Sequence, residues 1–155
     1  MYFHFHTALQ LLLSLFLGAL IGVDREWKGK KAGLQTYSLV CLGSCVFTLV
    51  GLEFINYFAS NPSLSFDPAR IVQAVTIAIG FIGGGVIFKK SVDIEGLTTA
   101  AGIWIAAAVG ITVGIKLYFL AVITTLMAII IFTGFGLLEK KIFNRYKEKE
   151  DRGKL

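Results

Sequence analysis

The run FHTALQLLLSLFLGALIGV, residues 5–23, contains no Asp, Glu, Lys or Arg. An α-helix of ~17–25 apolar residues crosses the ~30 Å hydrocarbon core of a bilayer, and a continuous helix satisfies its own backbone hydrogen bonds there. Comparable apolar stretches follow, so the predicted spans are 5–23, 37–58, 71–88, 98–113 and 117–138. The sequence therefore predicts an all-α polytopic membrane protein, a bundle of five transmembrane helices.

The composition agrees with this interpretation. The 155 residues are 55% hydrophobic and 16% charged, with a mean hydropathy of +0.74. A chain of this length has room for one compact bundle and no second folded domain. The expected organisation is one transmembrane domain over residues 1–138 and a charged cytoplasmic tail over 139–155.

The basic residues are distributed unevenly among the segments that connect the predicted spans, which we call gaps and number along the chain. The net charge is +5, and the first gap, the third gap and the tail hold 13 of the 15 Lys and Arg residues. This alternation is the positive-inside pattern, and it predicts an N-terminus outside and a C-terminus in the cytoplasm. The same placement argues against nucleic-acid binding and favours contact of the basic gaps with anionic lipid headgroups.

Small residues recur at four-residue spacing within three of the spans. Helices in lipid associate through small residues that let their backbones approach closely. These stripes predict helix–helix seams, and the predicted packing residues are Gly18, Gly22, Gly80, Gly83, Gly84, Gly102 and Gly110.

A weak internal repeat relates two segments of the chain, each of which consists of a span end, a basic gap and the start of the next span. Gly22-Val23 and Gly33-Leu34 correspond to Gly85-Val86 and Gly96-Leu97 at a constant offset of 63 residues. Both segments enter the bundle in the same sense, so the relation would be a parallel repeat, a symmetry that transporter folds use. The hypothesis predicts that the first two spans superpose on the third and fourth.

Few polar residues lie in or beside the spans, and charge in hydrocarbon usually faces a bundle interior or water. For Asp24, Arg25 and Glu26, one interpretation is an anchor at the lipid interface and the other is a polar network between helices. For Glu53, the alternatives are an interfacial carboxylate, a cation ligand or a partner of Arg70. The candidate polar network or cation site comprises Asp24, Arg25, Glu26, Thr36, Glu53, Asp67, Arg70, Gln73, Thr98 and Thr99.

Carboxylates are the only plausible metal ligands in this set. Mg²⁺ prefers oxygen ligands and keeps several waters, so a site here would use one or two carboxylates, with Glu53, Asp24 and Glu26 as candidates. No motif for zinc, nucleotide or nucleophilic catalysis is evident in the sequence, so we expect no enzymatic activity.

Five ordered blocks, the last of them in two parts, resemble the MgtC/SapB family of bacterial inner-membrane proteins. They are GALIGVDRE (18–26), AGLQT (32–36), DPARI (67–71), IGFIGGGVI (79–87), GLTTAAGIW (96–104) and AAVG (107–110). The third-span run differs from the usual family pattern only by exchanges of small residues. Longer members carry a soluble domain after the fifth span, so the chain is expected to be of the short, SapB-like type.

The resemblance implies a multi-pass protein of the bacterial inner membrane that serves magnesium homeostasis and adaptation to low magnesium or acid stress. It also implies binding to other membrane proteins, such as ATP synthase, alongside membrane lipids. Three hypotheses stay open: a non-transporting modulator of partner proteins, a Mg²⁺ channel or carrier that could form as a homodimer, and a structural lipid-binding protein.

Overall fold

The computed structural model describes residues 2–58, 67–90 and 93–136. Within these ranges the helices are α1 (Tyr2–Trp27), α2 (Leu34–Phe58), α3 (Ala69–Val86), α4 (Leu97–Gly114) and α5 (Tyr118–Ile130), which continues into a π-helical turn at Ile131–Phe135. All five are long and apolar enough to cross a membrane when α5 is taken together with that turn. The predicted all-α bundle of five transmembrane helices is therefore confirmed, while the tail at 139–155 lies outside the described residues.

The end of α1 differs from the predicted boundary. The prediction stopped the first span at Val23, where the apolar run stops, but the helix continues to Trp27. Charged residues are compatible with an α-helix once it leaves the apolar layer, and the Lys28 side chain pairs with Asp24 one turn back, at 2.8 Å. Asp24, Arg25 and Glu26 consequently lie on a helix and point in different directions.

A short β-hairpin, absent from the prediction, joins α3 to α4. Strands β1 (Phe88–Lys90) and β2 (Asp93–Glu95) pair antiparallel, with Phe88 opposite Glu95. The third span was expected to reach Phe88, but α3 ends at Val86, directly after three consecutive glycines. Glycine is a poor helix former, so the chain leaves the helix there easily.

Helices α1, α2 and α4 form the centre of the bundle. A Cβ atom added at Gly18 would lie 2.7 Å from the Cβ of Cys41, and one added at Gly114 would lie 2.7 Å from the Cβ of Thr48. At Gly110 an added Cβ would meet the carbonyl oxygen of Cys41. The three helices therefore touch at backbone distance, which requires glycine at these positions.

Helix α3 lies at the periphery. In their membrane-spanning stretches, 56% of the residues of α4 are buried but only 17% of those of α3. Large apolar side chains cover the outside of the bundle, among them Phe81, which is 87% exposed, and Phe119, which is 78% exposed. Such a surface is suited to hydrocarbon, because lipid replaces the water that a soluble protein would face.

The bundle has one end rich in cations. Here α1 and α3 finish and α2 and α4 begin, and we call it the basic end. The cations there whose side chains the structure describes include Arg25, Lys28, Lys30, Lys31 and Lys89. Helices α2 and α4 begin at Leu34 and Leu97, which correspond at the 63-residue offset. Their preceding helices end differently, because α1 continues four residues past the position equivalent to Val86. Superposition of the two halves stays a prediction.

Candidate functional site

Arg25 lies at the centre of a buried polar cluster at the basic end. The residue is in the last turn of α1 and only 4% of it is exposed. Its Nη2 atom donates a hydrogen bond to the Thr99 hydroxyl at 2.9 Å, and its guanidinium carbon stands 4.6 Å from the centre of the Phe132 ring. The Tyr37 hydroxyl donates to the Thr99 carbonyl at 3.3 Å. The cluster thus joins α1, α2, α4 and the π-helical turn.

The charge of Arg25 has no carboxylate counterion among the residues that the structure describes. Within the described ranges no carboxylate forms an ion pair with it, and its Nε atom is buried without a hydrogen-bond partner. Buried charges in proteins are normally paired, because transfer out of water is unfavourable. The Phe132 ring face and the Thr99 oxygen compensate only part of this loss.

Glycine at position 102 makes space for the cluster. A Cβ atom added to Gly102 would meet the Tyr37 hydroxyl and lie 2.6 Å from the Phe132 ring. Any larger residue would displace one of these aromatic side chains. Gly102 is therefore a residue that shapes the site as well as one that packs helices.

A second, more exposed network joins α1 to the end of α5. The Lys28 ammonium pairs with Asp24 and donates to the Phe132 carbonyl at 2.7 Å, while the Thr133 hydroxyl donates to Asp24 at 3.0 Å. The Phe132 carbonyl lies in the π-helical turn, and such turns occur frequently at functional sites. Asp24 is thus engaged with a lysine and a hydroxyl.

Glu26 stabilises the start of α2. Its Oε2 atom accepts a hydrogen bond from the Leu34 amide at 3.1 Å. A Cβ atom on the neighbouring Gly33 would collide with this carboxylate. A carboxylate at a helix N-terminus satisfies a free amide and interacts favourably with the helix dipole. Each acid of the predicted triplet thus already has partners in the chain.

The remaining candidate polar residues lie apart from this cluster. Thr36 is half-buried and Thr98 is exposed, and neither hydroxyl takes part in the cluster. Asp67 accepts a hydrogen bond from the Ala69 amide at 2.9 Å, as expected of a capping carboxylate. The structure shows no ion pair between Asp67 and Arg70 or between Glu53 and Arg70, and all three, like Gln73, are exposed at the opposite end.

Glu53 lines an open groove beside α2. The groove has a volume of about 530 Å³ and is otherwise formed by Thr7, Leu49, Val50, Phe54, Tyr57 and Phe58. Its lining is mostly apolar, and Glu53 supplies its carboxylate. Across the part of the chain that the structure describes, no group of three His, Cys, Asp or Glu residues could hold a metal ion.

The glycines of α3 differ from the prediction. Gly80 and Gly84 were expected in a seam between helices of the bundle, but an added Cβ atom would meet nothing within 4 Å at either position. Gly83 faces α4 instead, at 3.6 Å from the Ala100 Cβ. Consecutive residues of a helix point to different sides, and only one side of α3 packs against the bundle. Gly83 lies on that side, whereas Gly80 and Gly84 do not. The glycines of the first and fourth spans do lie in tight seams, Gly22 against Leu34 at 2.7 Å among them.

Several site residues were not among the sequence candidates. Tyr37 and Phe132 lie within predicted spans but are not among the candidate residues, and neither is Gln10. The Gln10 amide is buried and donates to the carbonyls of Val113 and Gly114 at 2.9 and 3.1 Å, so it satisfies the end of α4. An amide within the first apolar run was a signal that could have identified Gln10, because a polar group in a span needs a partner.

Comparison with known proteins identifies relatives along most of the chain. The model of the MgtC family matches residues 11–141. The chain is similar to the "Putative magnesium transporter YhiD" of Escherichia coli, at 34% identity over 88% of this chain and 64% of YhiD. It is similar to protein SapB of Bacillus subtilis, at 39% over 71% of this chain and 48% of SapB.

Protein MgtC of Salmonella typhimurium is 38% identical over 72% of this chain and 44% of MgtC. The chain therefore spans about half to two thirds of the length of these three relatives. No solved structure shows significant similarity to it.

Proposed function

This chain belongs to the MgtC family and is a magnesium-related, multi-pass membrane protein, and we propose that it modulates partner membrane proteins during adaptation to low magnesium or acid stress. In this proposal it resides in the bacterial inner membrane. Its partner is another integral membrane protein, such as ATP synthase, and the chain does not itself carry the ion.

The uncovered glycine face of α3 carries this proposal. Added Cβ atoms at Gly80, Gly84 and Gly85 would meet nothing within 4 Å, so this part of the helix is bare backbone. In lipid, a glycine face allows the backbone of another helix to approach closely, and van der Waals contact is a main driving force for association there. The face is therefore suited to a transmembrane helix of a partner protein.

The closed centre of the bundle supports modulation over transport by a single chain. Contacts below 3 Å from added Cβ atoms at Gly18, Gly22 and Gly114 leave no room for a hydrated ion between α1, α2 and α4. Mg²⁺ gives up its waters reluctantly, so a conduit for it would need either space or a set of carboxylates. The described residues hold no such set.

Crosslinking and flux measurements test the proposal together. A photoreactive residue at Phe81, beside the glycine face, is expected to crosslink a partner protein in cells, and Gly84→Leu should abolish the crosslink. Gly43→Leu is the matched control, because Gly43 lies on α2 and an added Cβ atom there also meets nothing within 4 Å. Liposomes that contain the wild-type protein and a Mg²⁺-sensitive dye should show no flux above protein-free liposomes.

The alternative is a Mg²⁺ channel or carrier, which could be a homodimer. It is favoured by the E. coli relative, whose name proposes magnesium transport. The exposed carboxylates of Glu53 and Asp67 could then take part in a site shared between two copies. Flux that disappears in Glu53→Gln or Asp24→Asn would establish this alternative and reject modulation as the sole function.

A further inference from the structure

The groove beside the end of α2 combines an apolar lining with a carboxylate. Its volume of about 530 Å³ falls within the ~300–1,000 Å³ that is usual for ligand-binding clefts. Such clefts are lined mainly by apolar and aromatic side chains, and a few polar groups fix the orientation of the ligand. Among the described lining residues Glu53 is the one that carries a charge. The groove therefore has the composition of a site for an amphipathic molecule.

The groove follows one side of α2. Its lining residues from this helix occur in pairs at four-residue spacing, 49–50, 53–54 and 57–58, and such residues share a helix face. A Cβ atom added at Gly51 would meet the Ile71 side chain, so α3 packs on a different side of α2. Glu53 is exposed and forms no ion pair with a described residue. Its carboxylate is therefore accessible from the groove.

Aromatic rings mark the depth of the groove in the membrane. Phe54 and Phe58 are stacked with ring centres 6.4 Å apart, and Tyr57 meets Phe58 edge to face at 5.0 Å. Tyr57 is 78% exposed, and an exposed tyrosine at the end of a span is typical of the headgroup level. At ~1.5 Å per residue, Glu53 lies about 6 Å and Leu49 about 12 Å from Tyr57 along the helix. The groove thus extends from the headgroup level into the acyl-chain layer.

We propose that this groove binds a phospholipid whose headgroup carries an ammonium group, of the phosphatidylethanolamine class. One acyl chain lies along Leu49 and Val50, and the ammonium pairs with the carboxylate of Glu53. A carboxylate beside hydrocarbon is unfavourable unless it has a partner, so the cationic headgroup stabilises it. The exposed rings of Phe54 and Tyr57 add attraction for a cation. Glu53 repels an anionic headgroup, so charge selects the amine lipid.

This inference goes beyond the proposed function and does not depend on it, because the groove lies beside α2 and the glycine face lies on α3. A lipid in the groove would occupy its site whether or not a partner protein binds α3.

Lipid binding by the full chain tests the proposal. The protein, purified in a neutral detergent, is titrated with phosphatidylethanolamine or phosphatidylglycerol that have identical acyl chains, and native mass spectrometry records the bound lipid. Phosphatidylethanolamine should bind about three- to fivefold more tightly, as expected from the upper part of the range for an exposed ion pair. Glu53→Gln should remove this preference. Asp67→Asn is the matched control, because Asp67 is also an exposed carboxylate at this end but lies outside the groove, and it should keep the preference.

A second pair of variants tests the apolar part of the groove. Val50→Trp fills the space along α2 and should weaken binding of both lipids while leaving their ratio unchanged. Val122→Trp is the control, because Val122 is an exposed valine of α5 outside the groove, and it should bind as the wild type does. Val50 is 47% exposed and Val122 is 40% exposed, so both positions should accommodate the larger side chain without loss of the fold.

Three results would overturn the proposal. The first is equal binding of the two lipids by the wild type, and the second is a preference that survives Glu53→Gln. The third is a dimer that Val50→Trp dissociates, without any lipid preference, which would assign the groove to a second copy of the chain.

Discussion

The Arg25 guanidinium and the Thr99 hydroxyl form a 2.9 Å hydrogen bond between residues 74 positions apart in sequence. This bond connects the last turn of α1 to the first turn of α4, at the end of the bundle where the polar side chains converge. It also gives the buried cation a hydrogen-bond acceptor.

Thr99→Val should destabilise the protein by about 1.5–3 kcal/mol, the range for hydrogen bonds to charged groups. The valine has nearly the same shape but leaves the guanidinium without its acceptor. Unfolding of the purified protein in detergent measures the change. Thr36→Val is the control, since Thr36 lies outside the cluster, and an equal loss in both variants would contradict the role of Thr99.

Gly102→Ala and Gly43→Ala should change stability in opposite directions. An added methyl group at Gly102 meets the Tyr37 hydroxyl and the Phe132 ring, so we expect a loss of about 1–3 kcal/mol from overpacking. At Gly43 it meets nothing within 4 Å, and the better helix propensity of alanine should add up to about 1 kcal/mol. The thermal unfolding midpoints of the two variants check this. Equal effects of the two substitutions would show that the site can accommodate a methyl group at position 102 without a loss of stability.

Glu26→Ala should weaken the start of α2 by about 0.5–1 kcal/mol, the lower part of the range for lost caps, because the carboxylate is exposed. Glu26→Gln keeps an oxygen acceptor for the Leu34 amide and should lose less. Hydrogen exchange at the Leu34 amide reports the effect locally. If exchange there is the same in Glu26→Ala and the wild type, the contact does not protect this amide.

Cys41 and Cys45 should not react with a thiol-specific maleimide in the folded protein. Both are free, and neither has any exposed surface. Labelling is expected only after denaturation in SDS, and mass spectrometry counts the modified thiols. Rapid labelling of the native protein would mean that the seam between α2 and α4 opens.

Because the native cysteines are expected to be silent, single added cysteines can report topology. Lys30→Cys should react only after the cytoplasmic face is exposed, whereas Asp67→Cys should react in intact cells. This pattern follows from the positive-inside distribution of charge. Reaction of both positions from the same side would reject the predicted orientation.

The number of spans could be predicted from the sequence, because a long apolar run in lipid must form a helix to satisfy its own backbone hydrogen bonds. It was not sufficient to choose between neighbouring residues of one helix. Thr98 and Thr99 were equal candidates, yet only Thr99 enters the cluster; Gly83 and Gly84 were equal candidates, yet only Gly83 meets α4. In a soluble protein, hydrophobic periodicity would separate the two faces. Here both faces are apolar, because lipid and the bundle interior are chemically alike.

The end of α1 was also predicted incorrectly, because hydropathy alone marks where a helix leaves the lipid and not where it ends. The first span was ended where charge begins, but hydrogen bonding carries α1 on to Trp27, and the side chains in that last turn form the site. Phe132 was missed because its role depends on distance in space. It lies 107 positions after Arg25, and no local pattern marks the pair.

The backbone contacts at Gly18, Gly110 and Gly114 have a mechanical consequence. Close-packed elements have two discrete arrangements or one, and they do not deform gradually. Helices α1, α2 and α4 are therefore expected to behave as one rigid body. Helix α3 has the lowest buried fraction of the five described spans, so we expect it to be the helix that can move relative to this rigid body. A partner protein that binds α3 would then act on the most mobile of the described helices.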